Sequence, residues 1–80
     1  MNQSQNKSPN IIRVKRMARG WSGAELARRM GVSRQFISAL ETGEALPGPS
    51  LVPKLATVFG EPAESFAREL EEARLSMSAA

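Results

Sequence analysis

The sequence predicts an all-α bundle of five short helices, and three observations carry that expectation. Apolar residues recur at spacings of three and four, as in Leu26, Ala27 and Met30 or Ile37 and Leu40, which lines one side of a helix and not one face of a strand. Small hydroxyl residues (Ser8, Ser22, Ser33 and Ser50) stand before such segments as N-caps, and glycines follow them as stops. At 80 residues the chain has room for one core, and short helices with closed ends are an economical way to build it.

Composition narrows the chemistry. Cysteine and histidine are both absent, which removes disulfides, thiol nucleophiles, imidazole bases and nearly every transition-metal site. Ser and Glu are plentiful, but no base, metal set or phosphate loop organises them, so neither an enzyme nor a cofactor is expected. No apolar run approaches the ~20 residues of a membrane span, and no apolar segment near the N-terminus has the form of a signal peptide. The expected setting is the cytoplasm.

Charge is segregated along the chain. Met1 to Gly43 carries eight Lys/Arg against Glu25 and Glu41, a net +6, whereas the remainder carries three against six Glu, a net −3. A basic half suits a polyanion and an acidic half suits solvent or a protein partner. Two solvated surfaces of opposite sign are the plainer alternative.

In chain order, residues 1–8 are polar and read as a flexible arm. The folded domain is expected over residues 9–75 and a frayed end over 76–80. Helix 1 is predicted from Ser8 as N-cap and Pro9 as first helical residue to Gly20, with Ile12, Met17 and Ile11 facing inward. Ser22 and Glu25 form an S-x-x-E capping box for helix 2, in which each side chain satisfies a backbone donor of the other. Trp21, just before this cap, reads as a staple on the turn. Leu26, Ala27 and Met30 follow at helical spacing and Gly31 ends the helix.

Ser33 caps helix 3, whose inward face is Ile37, Leu40 and Phe36, before Gly43. The segment Glu44 to Pro49, with two prolines and a glycine, is a break. Ser50 is the expected cap of helix 4, with Pro53 tolerated in its first turn and Gly60 as its end. Helix 5 is expected from about Pro62 to Leu75.

Arg16, the segment SGAELARRMGVS, the Ile37-x-x-Leu40-Glu41-x-Gly43 ending, Pro47, and Leu55-Ala56 through Phe59-Gly60 together resemble the Cro/phage-repressor (XRE-like) helix-turn-helix family. The resemblance covers residues 11 to 66. It implies a five-helix lambda-repressor-like domain, with helices 2 and 3 as the helix-turn-helix, that binds operator DNA as a homodimer. It further implies that Arg16 and Glu41 form a partly buried ion pair tying helix 1 to helix 3.

The residues support those roles on their own chemistry. With Ile37 and Leu40 inward, Arg34, Gln35, Ser38 and Ala39 turn outward as candidates for base contact in the major groove. Arg34 matches guanine O6 and N7, Gln35 matches adenine N6 and N7, Ser38 is promiscuous, and Ala39 can touch a thymine methyl. Phe36 has two readings, core packing or a thymine-methyl contact. The start of helix 2, with Ser22 and Gly23, offers free N–H groups to a phosphate. Gly23 departs from several phage repressors, which carry a Gln there that reaches the DNA backbone.

Arg13 and Arg28 are further candidates for phosphate contact. Lys7, Lys15, Arg19 and Arg29 share that reading or are solvated surface, with Lys15 and Arg19 on the outer side of helix 1. Many relatives place a cation after helix 3, where this chain has Glu44, Ala45 and Leu46. Either that loop stands away from DNA or its carboxylate lowers affinity.

Phe66, Leu70, Ala73 and Met77 form a stripe on helix 5 that either completes the monomer's core or makes a dimer seam. The resulting expectation is a sequence-specific regulator of transcription, a repressor that occupies an inverted-repeat operator as a homodimer with helix 3 in the major groove. The alternative is an antitoxin or adaptor whose acidic C-terminal helix binds a protein partner, with DNA binding for autoregulation.

Overall fold

A computed structural model describes residues 10–79, with side chains through residue 73. The segment expected as an arm, with Ser8 and Pro9, lies outside the described residues. Five helices follow one another: α1 (Ile11–Ala18), α2 (Gly23–Met30), α3 (Arg34–Thr42), α4 (Leu51–Phe59) and α5 (Ala63–Ala79). The described residues contain no strand.

Helix α1 starts at Ile11, two residues after the predicted start, because Asn10 is its cap. Asn10 is extended, and its side-chain oxygen accepts from the N–H groups of Ile12 and Arg13. Asn serves at this position as well as Ser does. Ser22 and Ser33 cap α2 and α3 by accepting from the N–H groups of Glu25 and Phe36. Ser50 does not cap α4: its backbone is already helical, and the Gly48 carbonyl accepts from Leu51 and Val52 in its place. Helix α5 begins after Pro62 and runs to Ala79, past the predicted end near Leu75.

Every helix contributes to one core. Ile12 enters from α1, Leu26, Ala27 and Met30 from α2, Ile37 and Leu40 from α3, Leu55, Ala56 and Phe59 from α4, and Phe66 from α5. Phe66 is 0% exposed and lies edge-on to Phe59 at 5.9 Å between ring centroids. It therefore completes the monomer's own interior and is not a seam residue, since burying a Phe stabilises the fold by about 1.5–3 kcal/mol. Leu70 and Ala73 are half-buried, and Leu70 packs on the core margin.

Helix α1 departs most from expectation. Met17, predicted inward, is 57% exposed, and Val14 is exposed beside it. With Ile12 fixed inward, a residue five places on lies about 140° away around a helix, whereas places three, four and seven return to the same side. Those places hold Lys15, Arg16 and Arg19. All three bury their stems and direct their charges at other helices, as long cationic side chains can.

Lys15 Nζ lies 2.7 Å from Glu61 and 3.0 Å from Glu69, and 5.8 Å from the centre of the Phe66 ring. Arg19 donates to the carbonyls of Lys15 and Phe59, faces Glu61, and lies 4.9 Å over the Phe59 ring. These two residues, placed by sequence reasoning on the outer side of helix 1, are anchors. Among the described residues no fully buried side chain is polar or charged, so the anchors sit at the edge of the core and keep contact with water.

Burial alone would lower the Lys15 pKa, but the hydrogen bonds and negative charges of Glu61 and Glu69 outweigh it and hold the ammonium above its ordinary 10.5. A raised basic pKa contributes stability that is fully present below the unfolded value and lost as pH rises through the folded one. The stability difference between wild type and Lys15→Met should therefore be constant from neutral pH to about 10 and shrink above it. Urea unfolding across alkaline pH checks this, and a difference that stays constant beyond the lysine range would contradict the anchor.

Candidate nucleic-acid interface

Helices α2 and α3 form a hinge-like pair with a short turn between them. Gly31 takes a left-handed conformation at φ 72°, and its N–H bonds to Arg28 O while that of Val32 bonds to Ala27 O. The site is open, with only Lys54 Nζ at 3.9 Å from where a Cβ would stand, so the need for glycine is conformational. Ser33 then caps α3 at once, and the second helix leaves the turn with Arg34 as its first residue.

The buried face of α3 is Ile37 and Leu40, with Phe36 half-buried against the same core. Of the two readings of Phe36, the packing one is what its surroundings support. Arg34, Gln35 and Ser38 are exposed and Ala39 is partly so, which makes one continuous edge along the N-terminal part of the helix. The side chains offered there are a planar five-donor fork, an amide with both donor and acceptor, and a hydroxyl. Such groups can donate to and accept from the edges of base pairs.

Two elements fix α3 from behind. Arg16 meets Glu41 with two parallel bonds, Nε to Oε2 at 2.6 Å and Nη2 to Oε1 at 3.0 Å. Their side chains are 14% and 12% exposed, and the third Arg16 nitrogen donates to Trp21 O at 2.8 Å. The fork therefore joins α3 to α1 and to the chain entering α2. The hydrogen bond to Glu41 raises the Arg16 pKa above its already high ordinary value. Asn10 adds a second tie from α1, its amide nitrogen donating to Leu40 O at 2.9 Å. Sequence reasoning missed Asn10, although an Asn before an Ile-Ile pair was a sufficient capping signal.

The start of α2 is the second element of the candidate interface. Ser22 is exposed and Gly23 partly so. Ser22 Oγ accepts from Glu25 N–H at 3.0 Å, which occupies an acceptor lone pair and leaves the hydroxyl hydrogen able to donate. The capping box is one-sided, because the Glu25 carboxylate turns to Arg28 and Arg29. Hydrogen bonding from Arg28, aided by both guanidinium charges, holds the Glu25 carboxyl below its usual range. Arg28 remains 71% exposed, whereas Arg29 also lies 4.1 Å over the face of Trp21.

Trp21 stacks on Phe59 at 6.1 Å, and so staples the turn as expected, with Arg29 as its lid. Arg13 is exposed on α1, Glu44 is exposed after α3, and Leu46 projects into solvent. Among the described residues there is no group of carboxylates able to hold a metal, and no helix is long and apolar enough to cross a membrane.

A family model described as helix-turn-helix matches residues 12–66. Those limits are the buried Ile12 of α1 and the buried Phe66 of α5, so the match covers the whole core. No curated protein matches the chain.

The Arg16 pair should behave as scaffold. Removing one partner from a well-desolvated pair costs about 3–5 kcal/mol, and the water-facing edge here puts Arg16→Met at about 3 kcal/mol on that scale. Glu41→Gln combined with Arg16→Met should cost less than the sum of the singles by 1 kcal/mol or about that. Denaturant unfolding of the four-member cycle measures the coupling, and strict additivity would remove the pair from this role.

Proposed function

The chain belongs to the Cro/repressor-like (XRE) helix-turn-helix family of DNA-binding transcription regulators, and on that premise we propose that it is a repressor that occupies an inverted-repeat operator as a homodimer. The observation that carries the proposal is the exposed edge of Arg34, Gln35 and Ser38 on a helix whose opposite side is sealed by Ile37 and Leu40. Helix α3 enters the major groove with its N-terminal half against the bases. Arg34 reads guanine, Gln35 reads adenine, Ser38 takes either partner, and Ala39 stands against a thymine methyl.

Phosphates fix the register. The N–H groups at the start of α2, with Ser22 and Gly23, receive one phosphate, since the helix dipole favours an anion there. Arg13, exposed on α1, and Arg28, exposed although bonded to Glu25, reach others and carry no base information. Repression follows by occupancy, because a domain seated across the major groove excludes other proteins from the same turn of duplex.

One such domain carries a single reading helix and has a longest dimension of 33 Å. Two copies side by side would put their reading helices about 34 Å apart, one turn of DNA. Leu70 and Ala73 on α5 are the candidates for the seam, without Phe66. The acidic surface left for a different protein partner is smaller than the residue count suggests, because Glu61 and Glu69 are engaged by Lys15. That favours DNA over an adaptor role.

Selection of bound sites from random duplex DNA tests the reading. A two-fold symmetric consensus with half-sites one turn apart is the expected result, and no enrichment would end the proposal. Arg34→Ala and Gln35→Ala should each weaken the selected site by about 1–3 kcal/mol and relax preference at one base position. Gel-shift titration with single-base variants of the site reads both effects, with circular dichroism to establish that the variants stay folded.

A further inference from the structure

We propose that Asn10 is a positioning residue for DNA reading: it starts α1 and holds the end of α3 with one side chain. The inference rests on the reading of α3 as the element that meets the bases. Asn10 has both kinds of polar atom, and the structure uses each on a different helix. Its oxygen accepts from Ile12 N–H at 2.8 Å and Arg13 N–H at 3.3 Å, while its nitrogen donates to Leu40 O at 2.9 Å. Ionised Asp has no donor, and Ser must accept and donate through one shorter-reaching oxygen, whereas an amide presents its acceptor and its donor pair on separate atoms of one plane.

The end of α3 explains why such a tie is useful. Helices α1, α2 and α4 close on their own backbone by the same arrangement: Trp21 N–H to Arg16 O, Val32 N–H to Ala27 O and Glu61 N–H to Ala56 O, each reaching back five residues. Helix α3 closes differently. Its closing backbone bond runs from Ala45 N–H to Ala39 O, six residues back, and the next carbonyl, Leu40 O, takes its donor from Asn10. The reading helix thus ends on a wider loop, and α1 supplies what the local chain supplies elsewhere.

Leu40 is flanked by both functions of α3. Its side chain is sealed in the core, its neighbour Glu41 is held by Arg16, and Ala39 before it lies on the reading edge. Arg16 grips a long, rotatable side chain, whereas Asn10 grips the helix backbone itself. A backbone tie fixes the position of α3 along its own axis, which sets how deep its first residues reach into a groove. A small shift there misplaces every base contact together, whereas phosphate contacts, made by flexible cations and by α2, tolerate it.

The test separates capping from positioning. Asn10→Ser and Asn10→Asp each keep a capping oxygen and lack the amide donor; the first is neutral, so any charge effect of the second is identified. Affinities are measured for the site enriched from random duplex and for a scrambled duplex of equal length, with amide hydrogen exchange on the free proteins. Both variants should lower the ratio of specific to scrambled affinity about fivefold, the effect of losing one ordinary hydrogen bond. Affinity for the scrambled duplex should be unchanged, and the Ala45 amide should exchange faster.

Equal losses on both duplexes, or an unaltered ratio, would overturn the inference while leaving the DNA reading intact. If wild type prefers no duplex, the functional reading fails and with it the role in specificity. Unaltered exchange at Ala45 would overturn even the mechanical role of Asn10 at the end of α3.

Discussion

The fork of Arg16 on Glu41 binds together two helices that have little apolar surface to share. Helix α1 places one residue, Ile12, fully inside the core, and burial of a single Ile contributes about 1.5–3 kcal/mol. That is a thin basis for fixing the angle of a helix. The attachment comes from directed bonds, which specify orientation where apolar contact specifies only proximity. Arg16 reaches α3 and the Trp21 carbonyl, Lys15 reaches Glu61 and Glu69, and Arg19 reaches the end of α4. Remove the fork and α3 keeps its apolar seat but loses the constraint that aims it.

This use of charge alters what the basic half of the chain offers to DNA. Lys15, Arg16, Arg19, Arg28 and Arg29 all have carboxylate partners, whereas Arg13 and Arg34 have none among the described residues. A cation that already has a partner releases fewer counterions when it meets a phosphate, so the electrostatic part of binding is weaker than the eight Lys/Arg of that half imply. A modest non-specific term leaves a larger share of affinity to base contacts. On the proposed reading, sequence preference depends closely on where α3 sits.

The fold was largely legible because each level of the sequence agreed with the next. At α2 and α3 the caps, the 3–4 spacing and the glycine stops all pointed the same way, and the helices lie within a residue of those signals. Helix α1 was legible in type and misread in phase. Reading Met17 as inward follows the rule that apolar residues are buried, and the rule failed because long cations with partners on other helices filled the inner stripe. Those partners, Glu41, Glu61 and Glu69, are 25, 46 and 54 residues away in the chain, and no periodicity reports a pairing across such distances. Arg16 and Glu41 could be matched from a family resemblance, whereas the ion pairs of Lys15 and the bond from Asn10 to Leu40 had no pattern to announce them. The exposure of Arg34, Gln35 and Ser38 was legible, because fixing Ile37 and Leu40 inward determines what a helix turns outward.

Trp21 has a consequence beyond holding the turn. It is the sole tryptophan in a chain without tyrosine, and it touches both the Phe59 ring and the Arg29 guanidinium, joining the core to a cation of α2. Near-ultraviolet emission from the protein therefore comes from a single place, and a positive charge against one face of an indole shifts the energy of its excited state. Any event that draws Arg29 away toward an outside anion changes the light emitted by the ring it leaves. The chain is, by construction, an unlabelled optical sensor of what arrives at that surface.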